Sequence, residues 1–156
     1  MAIAMTLENY LNTMHISYEL VPHRRTLSSM ESATAAHVPS HCIAKGVLLR
    51  DEKGYLMAVL PADRHVPMDE LRRQLGRKVE LASEDDVYRM FRDCEPGAIP
   101  PVGSAYGLET FVDTELTKEP EVYMEAGNHH ELVHLSRDGF KELFRDARHW
   151  QFAMTH

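Results

Sequence analysis

Two apolar runs, residues 42–50 and 55–60, dominate the hydrophobic pattern of this chain. Each has strand length and is apolar at consecutive positions, which predicts strands buried on both faces. Between them lies Asp51-Glu52-Lys53-Gly54, a polar turn containing glycine, so the pair predicts a hairpin at the centre of a covered sheet. A period of two puts Ile43, Lys45, Val47 and Leu49 on one face. Lysine is out of place in that company, because an isolated buried ammonium is costly to desolvate. It must snorkel, pair with a carboxylate, or point into a polar pocket that takes an anionic or carbonyl-like ligand.

The remaining pattern mixes helices and strands. Leu7, Tyr10, Leu11 and Met14 recur at helical spacing behind Thr6, a candidate cap. A short strand over 17–21 ends at Pro22. Ser28 or Ser29 opens a small-residue helix running to about His37 and stopped near Pro39. Pro67 starts a helix with Met68, Leu71 and Leu75 inward and Gly76 as its stop. A strand over 79–81 follows, then a helix capped by Ser83 with Asp85 and Asp86 in its first turn. Strands are predicted over 110–113, 121–125 and 131–135, separated by Pro120 and by Gly127-Asn128. Ser136 opens a last helix with Phe140, Leu143 and Phe144 facing inward. Helices and strands do not alternate strictly, so the expected fold is α+β: one domain over 1–156 with a mixed central sheet and surrounding helices.

Length and charge narrow the function. The chain has 156 residues, enough for one well-filled core. No apolar stretch approaches membrane-spanning length. Cys42 and Cys94 form no C-x-x-C pair and no export signal precedes them, so both are read as reduced thiols in a cytoplasm. The formal net charge of −7 argues against nonspecific coating of duplex nucleic acid, while leaving room for a protein that holds one end of an RNA. Arg72, Arg73, Arg77 and Lys78 form a local basic cluster, read first as a solvated helix face.

Several residues are candidates for chemistry. Gly97-Ala98-Ile99-Pro100-Pro101-Val102-Gly103 is a stiff loop bracketed by glycines, and with Lys45 it suggests a ligand pocket with a rigid backbone wall. Ser104 lacks the spacing of a nucleophile elbow. His129 and His130, read as adjacent strand positions, point to opposite faces. His130 and His134 share parity but lie about 13 Å apart along an extended strand, so the three histidines are poor metal ligands together. His23 follows a strand end and is placed to line a cleft. Cys42 reads as a small buried residue, and Asp113 as a cap for the turn after its strand.

In order and spacing these features resemble the YbaK/ProX-type aminoacyl-tRNA deacylases, relatives of the editing domain inserted in bacterial prolyl-tRNA synthetases. The residues that carry the likeness are Thr26 and Ala33, Lys45 with its paired strand to Ala62, Leu71, the Gly97-x-x-x-Pro101 loop, Val112-Asp113 and Ala126-Gly127. The resemblance spans nearly the whole chain. It implies a partly barrel-shaped sheet and a free-standing hydrolase that removes a wrong amino acid from tRNA without a cofactor or metal, in the service of translation fidelity. The family's lysine maps to Lys45. Gly97 and Ala98 map to the loop backbone that holds the ester carbonyl and ribose, with Ile99, Pro100 and Pro101 completing that wall. His23, Thr26, Gly127, Asn128 and His129 map around the substrate. The expected partner is the acceptor end of a charged tRNA, with an aminoacyl-tRNA synthetase as a further partner and neither DNA nor a membrane. Such an ester needs oxyanion stabilisation more than a strong base, which fixed backbone N–H groups supply. Two rivals remain: a catalytically silent module of the same fold that binds an aminoacyl or nucleotide ligand, and a metal-dependent hydrolase built on His129, His130 and His134.

Overall fold

A computed structural model describes residues 3–155. Met1, Ala2 and His156, included in the expected 1–156 domain, lie outside the described residues. The elements in chain order are α1 (Met5–Thr13), β1 (Glu19–Pro22), α2 (Ser29–Ala35), β2 (Ile43–Asp51), β3 (Gly54–Pro61), β4 (Arg64–His65), α3 (Met68–Leu75), β5 (Glu80–Leu81), α4 (Glu84–Met90), β6 (Glu109–Asp113), β7 (Glu121–Glu125), β8 (Glu131–Ser136), α5 (Arg137–Leu143), β9 (Arg148–Trp150) and β10 (Met154–Thr155). Short 3-10 turns occupy Ser40–Cys42, Gly103–Tyr106 and Thr114–Lys118.

Local chemistry starts and stops the helices much as expected. Ser28 accepts the Glu31 N–H at 3.2 Å and Ser136 accepts the Gly139 N–H at 3.1 Å. Ser83 and Asp86 form a reciprocal capping box on α4. Gly76 ends α3 at φ 64°, a left-handed conformation that favours glycine. Thr6 does not cap α1. The helix starts one residue earlier, and the Thr6 N–H instead donates to Asp93 Oδ2 at 2.8 Å, so a distant carboxylate meets the positive helix end.

The sheet is mixed, as the α+β expectation requires. Among the described residues its strand order is β1-β8-β7-β2-β3-β6-β9, with β5 added on β2. The β2–β3 hairpin is antiparallel along its whole length, from Ala44 opposite Pro61 to Asp51 opposite Gly54. Parallel ladders join β2 to β7, β3 to β6 and β6 to β9. Both faces of the hairpin are covered. On one face Ala44, Leu48, Met57 and Val59 pack with Leu7 and Leu11 of α1 and Phe140 and Leu143 of α5. On the other, Leu49, Leu56, Ala58 and Leu60 pack with Leu71 of α3, Phe111 and Phe152. A smaller cluster on that second face joins Ala33 of α2 to Ile43, Ala62 and Leu132.

Three strands were not foreseen: β4, β9 and β10. Their sequences carry little apolar periodicity, and tertiary contacts hold them. Trp150 stacks on Phe111 with ring centroids 5.1 Å apart, and its Nε1 donates to Gln74 Oε1 at 2.9 Å. Asp113 does more than cap a turn. Oδ1 accepts the Glu115 N–H at 2.9 Å, while Oδ2 accepts the N–H groups of Phe152 at 2.9 Å and Ala153 at 2.6 Å. This fully buried carboxylate ties the C-terminal segment to the sheet. Asp113→Ala leaves three backbone donors without their acceptor. At about 1–3 kcal/mol for each buried unsatisfied group, with water recovering part of the loss, the expected destabilisation is about 3–5 kcal/mol. Urea unfolding of the variant and the parent measures it; a change below about 1 kcal/mol would reject the role.

Candidate active site

Lys45 sits at a break in the sheet. One edge of β2 is paired to β3 throughout. The other edge pairs with β7 only at Ile43 and Ala44, and with β5 only at Leu49 and Arg50. Among the described residues no strand covers Lys45, Gly46 and Val47 on that side. The side chain of Lys45 is half-buried between two apolar clusters on its face, and Nζ donates to the Ala62 carbonyl at 3.3 Å. Burial lowers its pKa and the nearby Asp63 opposes that shift. Lys45 forms no ion pair among the described residues, so a buried salt bridge is not its reason for being there.

The proline loop crosses this break. A Cβ on Gly46 would lie 3.0 Å from Pro101 Cα and 2.6 Å from Met57 Sδ, so only glycine lets the loop lie this close to the strand. Pro101 therefore approaches the face opposite to Lys45. Pro100, Pro101 and Ala98 are buried, and Ile99 packs partly against the main core. The loop's near end is laced to the turn after β7. The Glu95 N–H donates to Gly127 O at 2.8 Å, and the Gly127 N–H to Ala98 O at 2.9 Å. The Ala98 N–H donates within the loop to Glu95 O at 3.1 Å, so this expected donor is already engaged. The Gly97 and Ile99 N–H groups have no protein acceptor among the described residues.

A third segment closes the frame. The Thr26 N–H donates to His129 O at 3.1 Å and the His23 N–H to His130 O at 2.8 Å. The structure thus brings His23, Thr26, Gly97, Ala98, Gly127, Asn128 and His129 together, but mostly as framework. Thr26, Asn128 and His129 are 2%, 2% and 4% exposed. His129 is not at a rim: its Nε2–H donates to Pro96 O at 2.6 Å and its N–H to Glu95 Oε2 at 2.9 Å. Asn128 Oδ1 accepts the N–H groups of His130 and Glu131 at 2.8 and 2.9 Å. That turn is why the strand parity assumed for His129 and His130 fails: β8 begins only at Glu131. His134, on β8, stacks on Tyr123 and bonds to Glu121, and the three histidines do not converge. His23 donates Nδ1–H to Arg24 O at 2.6 Å, and its enclosed Nε2 has no hydrogen-bond partner.

Gly97 is constrained more tightly than expected. It lies at φ 84°, and a Cβ there would meet Leu27 O at 2.9 Å. A valine at 97 would therefore disturb the loop's own packing, and loss of activity in such a variant would not isolate a substrate contact.

Sequence reasoning missed Glu125. It ends β7 on the Lys45 face, is 3% exposed, and lies under α2, where Ser29 Oγ donates to Oε1 at 3.4 Å. Ser32 sits beside it and bonds to Thr26 Oγ1 at 2.7 Å. Its Oε2 is enclosed without a hydrogen-bond partner. Burial pushes its pKa up to about 7, against the pull of the two serines. The two cysteines are free, and burial pushes Cys42 up to about 11 and Cys94 to about 12, so neither is a ready thiolate nucleophile. A separate cleft of about 380 Å³ lies outside the loop, lined by Tyr88, Phe91, Cys94, Gly97 and Ile99; Glu84 and Asp85 make it inhospitable to phosphate, and Lys45 does not reach it.

Residues 23–143 match the aminoacyl-tRNA editing domain. The chain belongs to that family. No curated protein matches it significantly. Among solved structures, hypothetical protein APE2540 superposes with a TM-score of 0.83 at 22% identity, over 96% of this chain and 99% of that one. A candidate trans-editing enzyme for prolyl-tRNA synthetase gives 0.80 at 21% identity, over 97% and 96%. A candidate signal transduction protein from Marinobacter aquaeolei VT8 gives 0.76 at 20% identity, over 96% of this chain but 30% of that one. These likenesses share the fold of this editing domain. No helix among the described residues is long and apolar enough to cross a membrane.

The buried carboxyl of the editing domain carries a pH signature. The folded state holds the Glu125 proton more tightly than the unfolded chain. Its contribution is therefore fully present below about pH 4.5 and is lost as pH rises to about 7. Glu125→Gln, which mimics the neutral acid, should match the parent near pH 4 and exceed it at pH 8 by on the order of 3 kcal/mol. Urea unfolding at both pH values checks this, and a difference that does not change with pH would refute the assignment.

Proposed function

We propose that this editing domain is an aminoacyl-tRNA deacylase that acts in trans, hydrolysing the ester at the 3′ end of mischarged tRNA in the cytoplasm. The observation that carries the reading is Lys45, a lysine without an ion pair at a stretch of a central strand that no strand covers among the described residues, with a fixed glycine-proline loop packed on the other face of that stretch at Gly46. Water adds to the ester carbonyl, the bond to the ribose oxygen breaks, and the free amino acid and the tRNA hydroxyl leave. The ammonium of Lys45 holds the terminal phosphate or polarises the carbonyl. The open N–H groups of Gly97 and Ile99 are the donors available to the developing oxyanion. An aminoacyl ester also carries a cationic amino group, and Glu125 offers an unpartnered oxygen on the Lys45 face. This chemistry requires no metal.

The alternative is a silent module that holds an aminoacyl or nucleotide ligand. One observation favours it: the Ala98 N–H is engaged inside the loop, which removes a donor the reaction could use. Incubation with alanyl-, cysteinyl- and seryl-tRNA, following loss of the amino acid, separates the two. Lys45→Ala should lower the single-turnover rate on the best substrate by about 10²-fold or more with an unchanged melting transition. A fully active Lys45→Ala protein would sink the assignment, and binding of all charged tRNAs without turnover would favour the silent module.

Recognition should rest on the acceptor end. The basic cluster is largely neutralised: Arg72 pairs with Asp69, Arg73 with Glu70, and Arg77 with Asp51 and Glu109. With a net charge of −7 and the three arginines of this cluster paired, two or three phosphate contacts are expected. The logarithm of kcat/KM should then fall with the logarithm of salt at a slope of about −1.4 to −2.7, and acceptor-stem minihelices should remain substrates. A much steeper slope with inert minihelices would mean that the protein grips the tRNA body. An aminoacyl-tRNA synthetase remains a further partner in this reading, as the supplier of the mischarged substrate.

A further inference from the structure

We propose that His41, Cys42 and Glu119 form a zinc site at the foot of the lysine strand. The two halves of the site come from segments far apart in sequence. His41 and Cys42 end the 3-10 turn that leads into β2, and Glu119 follows the turn Thr114–Lys118. His41 Nδ1 lies 3.1 Å from Glu119 Oε1, Cys42 Sγ 3.5 Å from Glu119 Oε2, and Cys42 Sγ 3.5 Å from His41 Nδ1. Three unlike donors therefore converge on one point.

The spacing fits a tetrahedral ion. Zinc binds imidazole nitrogen at about 2.0–2.1 Å, carboxylate oxygen at about 2.0–2.2 Å and thiolate sulfur at about 2.3 Å, and a tetrahedron's edge is about 1.6 times its bond length. Ligand atoms around zinc are then roughly 3.3–3.6 Å apart, which matches the 3.5 Å between Cys42 Sγ and His41 Nδ1; each of these faces a different Glu119 oxygen, so a small turn of the carboxylate brings one oxygen to the ion. Nitrogen, sulfur and one oxygen are a donor set that suits zinc better than calcium or magnesium.

The surroundings favour a cation. No lysine or arginine among the described residues forms an ion pair with Glu119, and Glu121 and Asp63 also act electrostatically on Cys42. The backbone is anchored: Arg137 Nε donates to Glu119 O at 3.0 Å, which fixes the carboxylate's root without touching its oxygens. His41 is exposed, so the fourth position opens to water. On binding, the Cys42 thiol gives its proton to solvent, and thiolate and carboxylate together neutralise the ion. The bare alternative, a surface histidine–carboxylate pair, contributes little on its own and does not account for the thiol.

The site is distinct from the proposed chemistry, and its effect is structural: it ties the entry of β2 to the segment before β7. The test uses no tRNA, so it stands or falls apart from deacylation. The chelator-treated chain is titrated with zinc against a chromophoric competitor, and with cobalt to look for a thiolate-to-metal charge-transfer band. Expected are one zinc per chain, a cobalt–thiolate band, and a melting temperature that rises with zinc. Cys42→Ser should abolish the band and weaken zinc binding at least about 10²-fold, with Cys94→Ser unchanged. His41→Ala, at an exposed position that folding tolerates, should weaken binding about 10-fold or more and decides the matter if Cys42→Ser does not fold. Absence of stoichiometric zinc binding, unchanged affinity in His41→Ala and Cys42→Ser, or loss of the band in Cys94→Ser would each overturn the proposal.

Discussion

The unequal pairing of β2 is the constraint on which the rest of the structure depends. One edge is bonded to β3 from end to end. The other is shared between a parallel stub of β7 and a two-residue stub of β5, with Lys45, Gly46 and Val47 between them. A sheet interior that leaves three residues uncovered must fill the space with something other than a strand. Here the proline loop covers the break from one face, held against Gly46 and laced through Gly127 to the end of β7. The lysine is tolerated at the centre of an apolar strand because its stem stays only half-buried and its ammonium bonds to the Ala62 carbonyl just past the end of β3.

That arrangement explains why the loop is stiff. Pro100 and Pro101 cannot donate hydrogen bonds, so they can lie over a buried surface without leaving unpaired N–H groups. Ala98 is zipped to its neighbours at both its N–H and its carbonyl. The N–H groups left over, on Gly97 and Ile99, are displayed by a backbone that has little freedom to turn away. Fixed donors of this kind need no reorganisation when charge develops, which is what an already activated ester requires.

The parts of this fold that local rules control were legible. The β2–β3 hairpin, the stops at Gly76 and before Pro39, and the caps at Ser28, Ser83 and Ser136 all depend on neighbours within a few residues. Lys45 stood out because a charge inside an alternating apolar run breaks the pattern. Two of the failures share one cause. Glu125 looks like an ordinary strand-end acid until α2 is seen to cover it. Trp150 belongs to a strand only because Phe111 lies beneath it. Each depends on a partner far away in sequence, and no periodicity encodes such a partner. The third is local: strand parity does not apply to His129 and His130, because the predicted strand begins at 131 and Asn128, accepting two backbone N–H groups, holds them in a turn before β8.

Lys45 and Glu125 share one face beside the break and are of opposite charge type. Burial disfavours charge on both Lys45 and Glu125, yet the two form no ion pair. A protein selected only for stability would join them or replace both with apolar groups, since an uncompensated buried charge is costly. Both are instead kept apart, one with a carbonyl contact and access to solvent, the other with serine contacts and an unused oxygen. An apolar wall would serve the core better. Two separate, weakly compensated groups of opposite type serve a ligand that brings its own charges, because binding then relieves a desolvation cost already present in the free protein.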